Sequence, residues 1–154
     1  MLTQEEKATN ADTWSHIHRV RELLSLVIIE LIHRQNDHDL SKLESPEVEL
    51  FTRFTDKLAN TTFNSEEYNS CKLAMKPALD HHYANNRHHP EFYKNGVDDM
   101  SLIDLIEMFV DWAAASERHN NGNLRKSIEI NANRFSISPQ LVQIFENTME
   151  FIGK

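Results

Sequence analysis

One cysteine, Cys71, stands in 154 residues, which leaves no pair for an intrachain disulfide and no thiolate set for a cysteine-rich zinc site. Three glycines and four prolines are too few for the many turns of an all-β sandwich. No apolar run approaches the roughly 18 residues of a membrane span, which excludes an integral membrane protein. The opening Met-Leu-Thr-Gln-Glu-Glu lacks the basic-then-apolar order of a secretory signal, so a cytoplasmic address is expected. Positive charge is also short. Sixteen Lys and Arg face 24 Asp and Glu, a formal net charge of -8 that disfavours bare phosphate backbones and anionic membranes as partners. What is plentiful is histidine. Nine of them stand beside the 24 acidic residues, and these are the ligand types of an oxygen- and nitrogen-rich metal site.

Apolar residues recur mostly at three- and four-residue steps, without internal repeat or low-complexity tract. The pattern predicts one all-α domain over residues 1–154, with residues 1–11 a flexible lead. The first helix is expected from Asp12 or Thr13 to about Arg34, with Trp14, Ile17, Val20, Leu23, Leu24, Val27, Ile28, Leu31 and Ile32 on one broad face. A second opens at Ser45-Pro46 and runs to about Leu58, followed by a polar loop from Ala59 to Ser65. The third covers Glu66 to His88, because Pro90 disfavours helical geometry at His89. A loop holding Gly96 leads to Ser101, which caps a very apolar fourth helix through Arg118. A turn at Asn120–Asn123, a short helix, and a last helix from Ser138-Pro139 to Ile152 complete the chain.

Three groups of residues could carry chemistry. His38-Asp39 sits after the first helix, and such a pair is weak by itself. His16 falls in the sector of Val20, Leu23 and Val27, which places it at the core edge, where it needs a partner. On the fourth helix Asp104, Glu107 and Asp111 form one narrow stripe with Arg118 in line. A helix apolar around most of its circumference is central, and a carboxylate stripe on it needs cations nearby, either a metal ion or Arg and Lys. The densest group is Asp80-His-His-Tyr-Ala-Asn-Asn-Arg-His-His-Pro-Glu91. On a continuous helix His82, Asn86 and His89 share one face, and His81, Asn85 and His88 the next; either set could aim two imidazoles at one ion. A surface histidine cluster is the bland alternative.

In the order His16, His38-Asp39, His82, His88 or His89, Asp111, the chain resembles the HD-domain metal-dependent phosphohydrolases. His16-Ile-His-Arg-Val20 is similar to the start of their first motif helix, and His38-Asp-Leu-Ser-Lys42 to their HD-[IL]-[GS]-K signature. Met100-Ser-Leu through Val110-Asp111 is similar to the helix that delivers their last metal-binding aspartate. His88-His-Pro-Glu91 with Asn95-Gly96 resembles the HHE…DG stretch of the cyclic-dinucleotide phosphodiesterase branch. More closely, His38 to Glu47, His82 to Glu91 and Met100 to Trp112 resemble the conserved runs of a family of small phage and bacterial proteins. The likeness covers roughly Trp14 to the C-terminus. One departure concerns the first ligand. In ordinary HD enzymes a second helix separates it from the HD pair, whereas here one helix and a short turn join His16 to His38; His18 and His33 are the alternatives.

The resemblance implies a compact HD-like bundle of five to seven helices. It implies one or two divalent ions (Mn, Fe, Co, Ni, Mg or Zn) held by His16, His38, Asp39, His82, His88 or His89, and Asp111. It implies hydrolysis of a nucleotide or related small phosphate ester, with Asp39, Glu91 and Lys42 at the chemistry and Arg19, Lys42, Arg87 and Arg118 against the phosphate. Glu91 or Glu107 would orient a histidine or water. A non-catalytic module that binds a nucleotide signal, useful to a phage, is the second expectation, and a homodimer is left open.

Overall fold

The structure, a computed structural model, describes residues 2–61, 65–118 and 122–152. It is all-α: among the described residues there are six α-helices and no strand. The helices are α1 (Gln4–Asp37), α2 (Glu47–Ala59), α3 (Glu66–Asn85), α4 (Leu102–Glu117), α5 (Leu124–Phe135) and α6 (Pro139–Ile152). Short 3-10 helices at Leu40–Leu43, Pro90–Phe92 and Gly96–Asp99 shape the connections. The chain divides into two compact units, Met1–Asp37 and His38–Lys154.

The first unit is α1. It begins well before the expected Asp12 or Thr13, so most of the stretch expected as a flexible lead is helical. Its start is a reciprocal cap: the Thr3 amide donates to Glu6 Oε2 at 2.6 Å and the Glu6 amide donates to Thr3 Oγ1 at 3.2 Å. No residue of α1 is buried. The expected single apolar face is absent for a local reason: from Leu23 to Ile32 only Ser25 and Glu30 are polar, so apolar side chains surround the helix. His16, expected at a core edge, is exposed.

The core of the second unit lies on α4, α5 and α6. Met108, Phe109, Trp112, Ile128, Ile137 and Phe145 form one buried cluster. Phe109 and Phe145 stack with centroids 5.2 Å apart, and Trp112 meets Phe145 edge-on at 5.8 Å. Each such side chain contributes about 1.5–3 kcal/mol through burial. The helix α4 starts where expected, with a capping box between Ser101 and Asp104. A second packed region joins α3 to α2, with Cys71, Met75 and Ala78 buried.

Two further boundaries differ from the sequence expectation, at the start of α2 and the end of α3. Pro46 itself occupies the N-cap of α2, which begins at Glu47. The loop expected at Ala59–Ser65 and the turn expected at Asn120–Asn123 include residues 62–64 and 120–121, which lie outside the described residues. The helix α3 ends at Asn85 rather than His88. There the Asn86 amide group donates to the His82 carbonyl at 2.8 Å and to Ser41 Oγ at 2.8 Å, so the chain leaves helical geometry three residues early. That early exit decides where the histidines go.

Candidate metal centre

With the helix ended, His88 and His89 no longer fall on the adjacent faces a continued α3 would give them. Both turn back towards His82. The His82 and His89 rings lie 4.7 Å apart, and those of His88 and His89 4.1 Å. His38-Asp39 reaches the same place from the turn that precedes the Leu40–Leu43 helix. Asp39 has a left-handed φ of 59°, uncommon for a residue with a side chain but tolerated by Asp, and this turns its carboxylate inward. Asp111 and Glu107 arrive from α4. Three groups of ligand atoms lie within 4.8 Å of one another: Asp39 with His82, His88 and His89; His38 with Asp39 and Asp111; and His38 with His88 and Glu107.

Protons on these rings are fixed from outside the cluster. His38 Nδ1 donates to Glu107 Oε1 at 2.9 Å, and His88 Nδ1 lies 3.1 Å from the same oxygen. His82 Nδ1 donates to Glu47 Oε2 at 2.8 Å, while His81 Nδ1 donates to Glu47 Oε1 at 2.7 Å. An ionised carboxylate only accepts, so the Nδ1 atoms that His38, His81 and His82 turn to Glu107 and Glu47 carry protons. The Nε2 atoms of His38, His82 and His88 lie on the inner side, near Asp39. His82 Nε2 stands 3.4 Å and His88 Nε2 3.6 Å from Asp39 Oδ1, and His82 Nε2 stands 2.8 Å from His89 Nε2. His38 Nε2 lies 3.5 Å from Asp39 Oδ2 and 3.8 Å from Asp111 Oδ1. Two of these buried atoms, Asp39 Oδ1 and His88 Nε2, have no hydrogen-bond partner. Buried polar atoms without partners are costly and rare, and a cation is what several inward lone pairs would share.

The electrostatics agree. Hydrogen bonds to Asp111 and Glu107, against the opposing effect of burial, push His38 up to about 10. Burial, the like charge of His88 and that of His82 push His89 down to about 3, so its ring is neutral. Burial and the Lys42 ammonium lower His82. Burial would raise Asp39, Asp111 and Glu47, but each is held below the usual carboxylate range. Lys42 does this for Asp39, His38 for Asp111, and His81 with Ser41 for Glu47. His38 thus carries both ring protons, donating to Glu107 and facing Asp111, and a bound ion would displace the one on Nε2; the ionised carboxylates and the neutral His89 ring are donors suited to a divalent transition metal.

The remaining expected site residues divide. Lys42 Nζ donates to Asp39 Oδ2 at 2.5 Å, next to the cluster. Arg118 lines a cavity that also touches His82 and His89. Arg87 pairs instead with the buried Asp104, at 3.3 Å, and lies over the Phe92 and Tyr93 rings. Glu91 pairs with Arg134 at 2.7 Å and is in none of the ligand groups. His16 and Arg19 belong to α1, where Arg19 pairs with Glu22 at 2.9 Å. No ligand group among the described residues contains His16. Sequence reasoning missed Glu47, which is fully buried. As the first residue of a helix after proline it reads as an ordinary acidic first-turn residue, and nothing in its spacing marks it as a partner of two histidines.

The chain belongs to the Family of unknown function (DUF5662), whose model matches residues 5–151. No curated protein and no solved structure matches it.

Proposed function

We propose that this protein is a metal-dependent phosphohydrolase that cleaves a nucleotide or related small phosphate ester. The observation that carries this reading is the inward convergence of three ring nitrogens and one Asp39 oxygen, two of them buried without a partner. His38, Asp39 and Asp111 would hold one divalent ion, and Asp39, His82, His88 and His89 a second or the same one. Asp39 is common to both groups. A divalent ion there supplies a Lewis acid that polarises a phosphoryl oxygen and makes water acidic enough to attack at neutral pH.

The chain's own residues account for the rest. Glu107 and Glu47 orient the rings, as carboxylates behind metal-binding histidines do. Lys42 and Arg118 bring positive charge to an acidic site where phosphate must dock. Asp39 and Asp111, held ionised at neutral pH, can accept the proton of the attacking water. Water adds to phosphorus, the ester P–O bond breaks, and that proton ends on the departing alcohol. Glu91, engaged by Arg134, has no part in this scheme.

Elemental analysis of protein purified without a histidine tag, followed by a phosphate-release screen over nucleotides with added Mn, tests the reading. His38→Ala and Asp39→Ala are expected to abolish release while helical circular dichroism persists. Full activity in both variants after chelation would sink it. Stoichiometric nucleotide binding without phosphate release would point to a binding module instead.

A further inference from the structure

Beside the histidine cluster lies a cavity of about 470 Å³, within the range of small-molecule sites. Its lining is of two kinds. The polar part comes from His82 and His89, which also belong to the cluster, and from Lys42 and Arg118. The walls come from α2 and α3. Phe51 and Leu58 on α2, and Met75, Leu79 and Tyr83 on α3, recur at seven- and four-residue steps and so present one face of each helix to the cavity. Only Thr55 and the Tyr83 hydroxyl interrupt this apolar lining.

We propose that this cavity is the seat for the alcohol portion of the substrate, and that it selects monophosphate esters carrying a flat, apolar ring of about one or two cycles. The inference rests on the phosphohydrolase reading for the cleaved bond, but the binding preference stands apart from it. Charge complementarity sets the orientation. An anionic phosphate goes to the cationic groups and the cluster, and the uncharged remainder goes against the apolar lining of Phe51, Leu58 and Met75. The same argument limits the phosphate count. Asp39, Asp111, Glu47 and Glu107 already surround the cluster, and the two cations lining this cavity cannot also offset a triphosphate. The walls have too few polar groups to read the hydrogen-bonding edge of a base. Ring size and apolarity therefore govern selection, and base identity does not.

The test uses the full chain loaded with Mn and two phosphonates that cannot be hydrolysed, methylphosphonate and phenylphosphonate, titrated by calorimetry. Each buried methylene-sized group is worth about fourfold in affinity, so phenylphosphonate is expected to bind at least about tenfold more tightly. Thr55 is exposed at the cavity wall, so Thr55→Trp fills the cavity without disturbing the core and should bring that ratio towards one. Phe51→Ala, checked by circular dichroism, should lower it as well. In parallel, phosphate release from methyl, phenyl and 1-naphthyl phosphate and from nucleoside mono- and triphosphates is measured. Equal affinity for the two phosphonates, binding of neither, or a ratio unmoved in both variants overturns the proposal. Preferential phenylphosphonate binding with no ester cleaved upholds the pocket and removes the hydrolase reading. Cleavage indifferent to the alcohol portion keeps the hydrolase and removes the pocket.

Discussion

Asp39 is the residue on which the cluster turns, since two of the three ligand groups use it and its backbone is in a left-handed conformation that few residues with side chains adopt. Around it, Glu47 and Glu107 fix where protons sit. A glutamine in place of either keeps the size but offers one acceptor oxygen in place of two, and its amide can aim N–H at an imidazole. Glu47→Gln and Glu107→Gln are therefore each expected to weaken metal affinity by roughly 10- to 100-fold while leaving helix content intact. Competition with a chromophoric chelator measures this; unchanged affinity in both would mean that the rings are oriented by packing alone. The sequence showed the histidines by their density and Asp111 by its place in a carboxylate stripe on an apolar helix. It did not show Glu47, whose role depends on partners 34 and 35 residues away.

At the scale of elements, the segment from Asn86 to Met100 is held against the start of α4 by Asp104. This carboxylate is fully buried and accepts from Tyr93 Oη at 2.7 Å, from the Ser101 amide at 2.9 Å, and from Arg87. Burial would raise it, but the bonds from Ser101, Tyr93 and Arg87 hold it well below the ordinary carboxylate range. A depressed carboxylate contributes stability that is complete above its unfolded value near 3.8 and fades as pH falls below it. Asp104→Asn is expected to lose about 1.5–3 kcal/mol at pH 7, from charge-assisted hydrogen bonds, and to show a shallower loss between pH 5 and pH 2 than the parent. Urea midpoints across that range decide it. The start of α4 was legible because Ser101 precedes an apolar run. The start of α1 was also written in the chain, as Thr3 and Glu6 at capping-box spacing, but it was eclipsed by Asp12 and Thr13 nearer the apolar residues. The end of α3 was not legible. Local pattern carries the helix to Pro90, whereas the exit depends on Asn86 finding Ser41, 45 residues earlier.

For the whole molecule, the fold class followed from what is scarce, few glycines and prolines and helix-spaced apolar residues, and the six α-helices agree with it. The candidate centre lies wholly within the second unit, His38–Lys154. A ligand that binds only the folded state raises stability by mass action, about 2.7 kcal/mol at a hundredfold excess over the dissociation constant. For a chain of this size that is a shift in Tm of roughly 5–10 °C. Adding Mn or Zn to chelator-stripped protein should produce such a shift, and Asp39→Ala should remove it. A melting curve indifferent to metal in the parent chain would count against any ion at this site.

Rings already turned inward need no change of fold when an ion arrives, only the loss of the second His38 proton. Glu107 and Glu47 hold His38 and His82 by their outer nitrogens whether or not anything sits between the inner ones. Capture should therefore follow a single exponential whose rate climbs in proportion to ion concentration, with no plateau and no lag, when stripped protein meets metal in a stopped-flow cell.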